Sequence, residues 1–424
     1  MLRVSMKAMM RAIARLEERG RRATLLGIGP MSETVIEAAL RLAGEKDFPV
    51  MFIASRNQVD SDEFGRGYVR RWNQADFAGA VRDAAGRVGF DGLCHVCRDH
   101  GGPWQRDKER ADRLPPDEAM DIAKRSFVAD MKAGFDLLHI DPTKDPHAGP
   151  VMPLALVLDR TVELIAHVES ERIRLGLPEI AYEVGTEETN GGLTGESAYA
   201  DFIERLARRL NAQNLPLPLF IVGQTGTLTR LTENVGRFDP RAARTLSEIA
   251  RSHGVGLKEH NGDYLSDAML AMHPGLGVSA VNVAPEFGVV ETVAFLALSE
   301  TEQRLAALGL LGESSSFGSA LSLSAVRSER WRKWLVGVDA AKPVEEALSD
   351  KSMADLITRV GGHYCFDHPD VRKAMDAMAA NLASLGIKPA RLVLGAIQRA
   401  IGRYADCFGL EGLTGEIRGE LAAG

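Results

Sequence analysis

The run Gly92-Leu-Cys-His-Val-Cys-Arg98, followed by Asp99-His100-Gly101, sets the reading of this chain. A short, mostly apolar run that stops abruptly in polar residues reads as a buried strand. Helix-period residues over Asp117–Ala133 then complete a strand–helix unit. The unit recurs along the chain. Strands are expected at Thr24–Ile28, Val50–Ala54, Gly92–Arg98, Leu137–Ile140, Ile180–Val184, Leu217–Val222, Val255–Glu259 and Val278–Val283. Helical segments separate them, several opened by capping residues such as Ser32 before Glu33 and Asp239 before Pro240. Eight such units predict an α/β fold, a (β/α)₈ TIM barrel over residues 1–311. A doubly wound open sheet is the rival, but it concentrates chemistry at one switch point. Here chemically able residues follow nearly every strand.

Beyond Leu311 the strand rhythm stops, and residues 312–424 read as a helical C-terminal extension packed on the barrel or on a partner chain. A chain of 424 residues exceeds what one compact core usually holds, which suits a barrel plus extension. Hydrophobic residues at 45% and charged ones at 26% mark an ordered globular protein. The net charge of −7 lacks the basic footprint of a nucleic-acid binder. Without an apolar run of about 18 residues no membrane span is expected. The Arg-rich start, with Glu17 and Glu18, reads as an amphipathic helix rather than a leader. Of four cysteines, Cys94 and Cys97 form C-x-x-C inside a strand, where buried packing is favoured over redox or zinc chemistry. A reduced, cytoplasmic protein is the expectation.

In a TIM barrel, catalytic side chains converge at the strand C-terminal ends. Those ends carry Ser55-Arg56-Asn57-Gln58, Asp99-His100, Asp141, Glu187, Gln224, His260 with Asp263, and Asn282. His100, Glu187 and His260 are the candidate metal ligands, with Gln224 a fourth. Imidazole and carboxylate together suit a divalent ion, zinc or else manganese or a similar metal. Asp99 and Glu187 are the candidate catalytic residues, Asp99 as acid–base group beside the ion. Ser55, Arg56, Asn57, Gln58, Asp141, Lys258, Asp263 and Asn282 are the candidate substrate-binding residues. The bland alternative is that each such His or Glu is a hydrogen-bonded surface group; the recurrence at strand ends argues against it. His95, His253 and His273 are read as structural or exposed, and Trp104 as packing. Gly27-Ile-Gly29 lacks a third glycine, and Gly223-Gln-Thr-Gly226 lacks a phosphate-loop lysine.

Several segments together resemble the accessory (so-called non-catalytic) subunit family of class II tagatose-1,6-bisphosphate aldolase, also labelled tagatose-6-phosphate kinases. They are Val35–Ala39, Asn57-Gln-Val59 with Tyr68, Asp99-His100 with Gly102-Pro103, Ala133-Gly-Phe135 with His139-Ile-Asp141, Gly185-Thr-Glu187, Gln224 with Gly226, and His260 with Asp263-Tyr264. The resemblance implies a relative of the class II aldolases: Asp99 as base, His100 and His260 as ligands, and Gln224 where the aldolases use histidine. It implies metal-dependent aldol or retro-aldol chemistry, as aldolase or C4-epimerase, on a ketose or ketose phosphate. The alternative it implies is a non-catalytic subunit that stabilises a separate catalytic aldolase chain; an oligomer is expected on either reading. Nothing in the residues supports the kinase label. The chain departs from the family at Asn282-Val-Ala-Pro285, at Thr292-Val293 and at Thr358–Cys365, and Arg56 and Lys258 introduce cations. Those cations predict a changed anion pocket and a substrate other than the ordinary bisphosphate.

Overall fold

A computed structural model describes residues 4–149, 152–186 and 192–423. Eight parallel strands close into one barrel: β1 (Leu25–Ile28), β2 (Val50–Ser55), β3 (Cys94–Gly101), β4 (Leu137–Ile140), β5 (Ala181–Val184), β6 (Phe220–Val222), β7 (Gly256–Glu259) and β8 (Ala280–Val283). Neighbours in the chain are neighbours in the barrel, and β8 closes on β1. The strands are buried on both faces, because side chains fill the lumen and helices cover the outside. The barrel helices used below are α1 (Met6–Glu18), α2 (Glu33–Lys46) and α3 (Pro285–Ala307).

Local chemistry starts these elements where the sequence suggests. The Ser32 hydroxyl accepts the Val35 N–H at 3.1 Å, opening α2. Asp239 accepts the N–H groups of Arg241 and Ala242 ahead of the helix Pro240–Ser252. Between β7 and β8 the chain makes only two short helical turns, Asp267–Leu270 and His273–Leu276. Strand β3 runs three residues past its expected end and includes Asp99, His100 and Gly101. Cys94 and Cys97 lie in β3 as free thiols pushed up in pKa by burial, which agrees with packing rather than redox use.

The C-terminal helices are packed on the barrel. The helix Pro389–Cys407 lies against α2 and α3, and its Tyr404 hydroxyl bonds the Glu286 carboxylate at the start of α3. The last helix, Leu413–Ala423, receives Arg15 and Arg19 of α1 on Glu420. The turn Arg330–Lys333 sets Lys333 against Asp107, which opens the short helix Asp107–Ala111 after β3. Buried apolar residues form one cluster that extends from Met6 to Ile417. No helix among the described residues is long and apolar enough to cross a membrane.

Candidate metal centre

Alternation in a strand sends residues i and i+2 to one face, and this decides what reaches the lumen. His139 and Asp141 share a face at the end of β4, as Lys258 and His260 do at the end of β7. Parallel register sets His139 beside Glu183, Ser55 beside Asp99, and Gly27 beside Asn282. The β3–β4 pairing slips between Arg98 and Gly101, and His100 takes a positive φ of 43°. Such a bulge re-aims one side chain. Below it, Arg98 is locked by Asp130 and by the carbonyls of Ala54 and Val59, so the turn has a rigid base.

Asp99, His100, His139 and His260 converge, each offering a ligand atom within 4.8 Å of the others. The hydrogen bonds around them decide where the protons sit. His260 Nε2 is 2.8 Å from Glu183 Oε1, and a carboxylate can only accept, so Nε2 carries the proton. His100 Nδ1 is 2.7 Å from Asp141 Oδ2 and donates for the same reason. The remaining nitrogens, His260 Nδ1 and His100 Nε2, face each other at 3.0 Å. Two bare lone pairs at that separation need a cation between or beside them, either a proton or a metal ion. Carboxylate-backed imidazoles are the usual outer support of metal-binding histidines. The His139 ring turns its Nδ1 toward them: that nitrogen accepts the backbone N–H of His100 at 3.1 Å and lies 3.8 Å from Asp99 Oδ1. Three imidazoles and a carboxylate are a donor set that zinc accepts.

Charge is balanced inside the barrel. Glu183 and Lys258, both buried, form an ion pair, and Glu183 also receives His260. Burial pushes the Glu183 carboxyl up, yet Lys258 and the imidazoles of His139 and His260 bring it down to about 2. Burial likewise opposes ionisation of Asp99, and the surrounding imidazoles outweigh it, holding its pKa well below the carboxylate range. The Asn282 amide donates to Asp99 Oδ1 at 2.9 Å. For His100, burial opposes the charge while Asp99 and Asp141 favour it, and its pKa rises. For His260 burial prevails and its pKa falls.

Asp99 and His100 open into a cavity of about 370 Å³ also lined by Ser55, Asn57 and Gln58. The Ser55 N–H donates to Gln58 Oε1 at 2.8 Å, and Asn57 Oδ1 accepts the Asp107 N–H at 3.1 Å. Gln224 is buried at the end of β6, where its backbone exchanges hydrogen bonds with Thr194. Glu187 lies outside the described residues.

Three expected substrate-binding residues are otherwise engaged. Arg56 is fully buried, and its guanidinium is spent on Asp60, Glu109 and the Gly102 carbonyl, so it holds the loops of β2 and β3 together and offers no anion site. Lys258 is inside the barrel on Glu183, because a buried ammonium seeks the nearest buried carboxylate. Asp263 accepts the N–H groups of Ala284 and Glu286 and so caps α3; burial lifts its pKa to about 7. Conversely, His139 and Glu183 were not expected at the centre. Their signal was the two-residue spacing to Asp141 and to Gly185, which a reading of strand ends alone passes over. His273 and Glu259 make a buried pair elsewhere, in keeping with a structural His273.

A family model described as D-tagatose-1,6-bisphosphate aldolase subunit GatZ/KbaZ-like matches residues 10–215. Among solved structures, a probable tagatose 6 phosphate kinase from Sinorhizobium meliloti 1021 is similar at 23% identity. The match covers 91% of this chain and 100% of that one, with a TM-score of 0.73. A fructose-bisphosphate aldolase from Campylobacter jejuni is similar at 12% identity over 96% of this chain and 93% of that one, with a TM-score of 0.53. The fructuronate-tagaturonate epimerase UxaE from Cohnella laeviribosi is similar at 13% identity over 92% and 82%, with a TM-score of 0.52. At such identities these structures share the fold with this chain. The resemblance read from the sequence is thus met by a match to the GatZ/KbaZ-like family model over residues 10–215.

Proposed function

We propose that this protein is a metal-dependent enzyme that makes or breaks a C–C bond of a ketose or ketose phosphate, as an aldolase or as a C4-epimerase by the same steps. The observation that supports the reading is the convergence of Asp99, His100, His139 and His260, with the His100 and His260 rings each backed by a carboxylate. His100, His260 and His139 would hold a divalent ion, zinc or manganese, with Gln224 and Glu187 as further proposed ligands. Bound there, the ion supplies Lewis acidity toward a ketose carbonyl. Asp99, ionised and oriented by Asn282, takes the proton of the hydroxyl whose carbon is cleaved and returns it on re-addition. Re-addition to the opposite carbonyl face is epimerisation; release of the two fragments is aldolase activity. Ser55, Asn57 and Gln58 offer neutral donors and acceptors to sugar hydroxyls.

Metal analysis of the purified protein together with a panel of ketoses and ketose phosphates tests this. The expected result is a retained divalent ion and turnover that falls about 10²- to 10⁴-fold in Asp99→Asn, while His100→Ala loses the ion. A protein without metal affinity and without turnover sinks the proposal. The matched family is described as an aldolase subunit, which favours a second reading: the chain stabilises a separate catalytic aldolase. Co-purification with such a chain, and turnover only in its presence and unaffected by Asp99→Asn, would select it.

A further inference from the structure

The C-terminal extension reaches the cavity as well as covering the barrel. Trp334, Val360 and Tyr364 line the space into which Asp99 and His100 open. Trp334 stacks on Tyr364 with centroids 5.3 Å apart and planes 25° apart, and Tyr364 meets Tyr68 of the barrel edge-on at 4.7 Å. Tyr68 and Gln58, which line the same cavity, join this aromatic group to the polar wall. Arg330 lies 4.7 Å and 5.0 Å from the centroids of the two tyrosine rings. Lys333 pairs with Asp107, whose N–H is held by the cavity residue Asn57. The extension is therefore seated on the rim by several independent contacts.

The chemistry of this wall is specific. The three side chains that the extension contributes to the lining carry no charge, and two are aromatic, which suits the C–H face of a carbohydrate. A phosphate ester instead calls for cations or clustered N–H donors. The cations expected to supply them, Arg56 and Lys258, are buried in ion pairs. Arg110 is directed to the Trp104 carbonyl and to Asp107. Lys144 also lines the cavity, close enough to His100 to act on its charge, and so brings one cation to this space.

We infer that the C-terminal extension sets substrate specificity: Trp334 and Tyr364 bind the unphosphorylated end of a ketose chain, and the substrate is a neutral ketose or a ketose acid with one anionic group. The inference rests on the reading of the cavity as a ketose site. It is tested by calorimetric binding to the full-length, metal-loaded protein of three probes: D-tagatose, D-tagaturonate and D-tagatose 1,6-bisphosphate. The wild type should bind the first or second at least tenfold more tightly than the bisphosphate. Trp334→Ala should weaken that ligand about tenfold, the order expected for one aromatic contact, with metal content unchanged. A preference for the bisphosphate, no binding of any probe, or an unchanged affinity in Trp334→Ala overturns the inference. Should the variant fold poorly, the wild-type order of affinities decides alone. Loss of turnover or of metal with that order intact would defeat the proposed chemistry and leave the specificity wall standing.

Discussion

Replacing Lys258 by methionine removes the ammonium from a carboxylate that water cannot reach. Lys258 and Glu183 are 1% and 0% exposed, and the methionine retains most of the apolar stem. Burial alone raises the Glu183 carboxyl, with Lys258 the largest force against it, and the balance is a pKa of about 2 in place of 4.5. At roughly 1.4 kcal/mol per unit, that depression corresponds to about 3 kcal/mol. Breaking one side of a buried pair costs about 3–5 kcal/mol by the same logic. A carboxyl with a depressed folded pKa contributes stability above the unfolded value and loses it as the pH falls toward the folded one. The deficit of Lys258→Met should thus be full at pH 7 and shrink on acidification below about 4.5. Urea unfolding followed by circular dichroism at several pH values measures it. Adding Glu183→Gln to the variant should recover much of the loss, since no bare charge then remains. A single variant as stable as wild type, or a double variant no better than the single, would refute the account.

Glu291 tests the opposite sign: burial lifts its carboxyl from 4.5 to about 7 against hydrogen bonds from Ser32 and Thr34. The folded state keeps that proton longer than the unfolded chain, so its stability falls as the pH rises from 4.5 through 7. Glu291→Gln should therefore stabilise the protein at pH 8, by up to about 3 kcal/mol, and hardly at pH 4.5; equal melting shifts at both values would contradict this. At Gly27 a methyl group would stand 2.3 Å from Asn282 Oδ1, so Gly27→Ala must push Asn282 off Asp99. A stability loss of about 1–3 kcal/mol and a large fall in turnover, with metal retained, are expected; a fully active variant would show that Asn282 does not orient Asp99.

Much of this protein was legible before any coordinates. Alternation of apolar strand runs with helical periods is local information, and eight repeats of it leave few ways to bury every strand on both faces, so the barrel followed. Asp99, His100 and His260 were named from their places at strand ends and do meet in the structure, because a closed barrel carries all its strand ends to one rim. What could not be read is the pairing of charges distant in sequence. Arg56 and Lys258 look like anion-binding cations along the chain; only the packing shows that Glu109 and Glu183 already neutralise them. His139 and Glu183 depend on strand register, and the aromatic wall of Trp334 and Tyr364 depends on where a helical segment docks more than 200 residues after the Asp99 turn. Local periodicity determined the fold and the rim; tertiary structure decided which rim charges are free to act and what covers them, since charge compensation and cavity shape arise between segments that share no sequence neighbourhood.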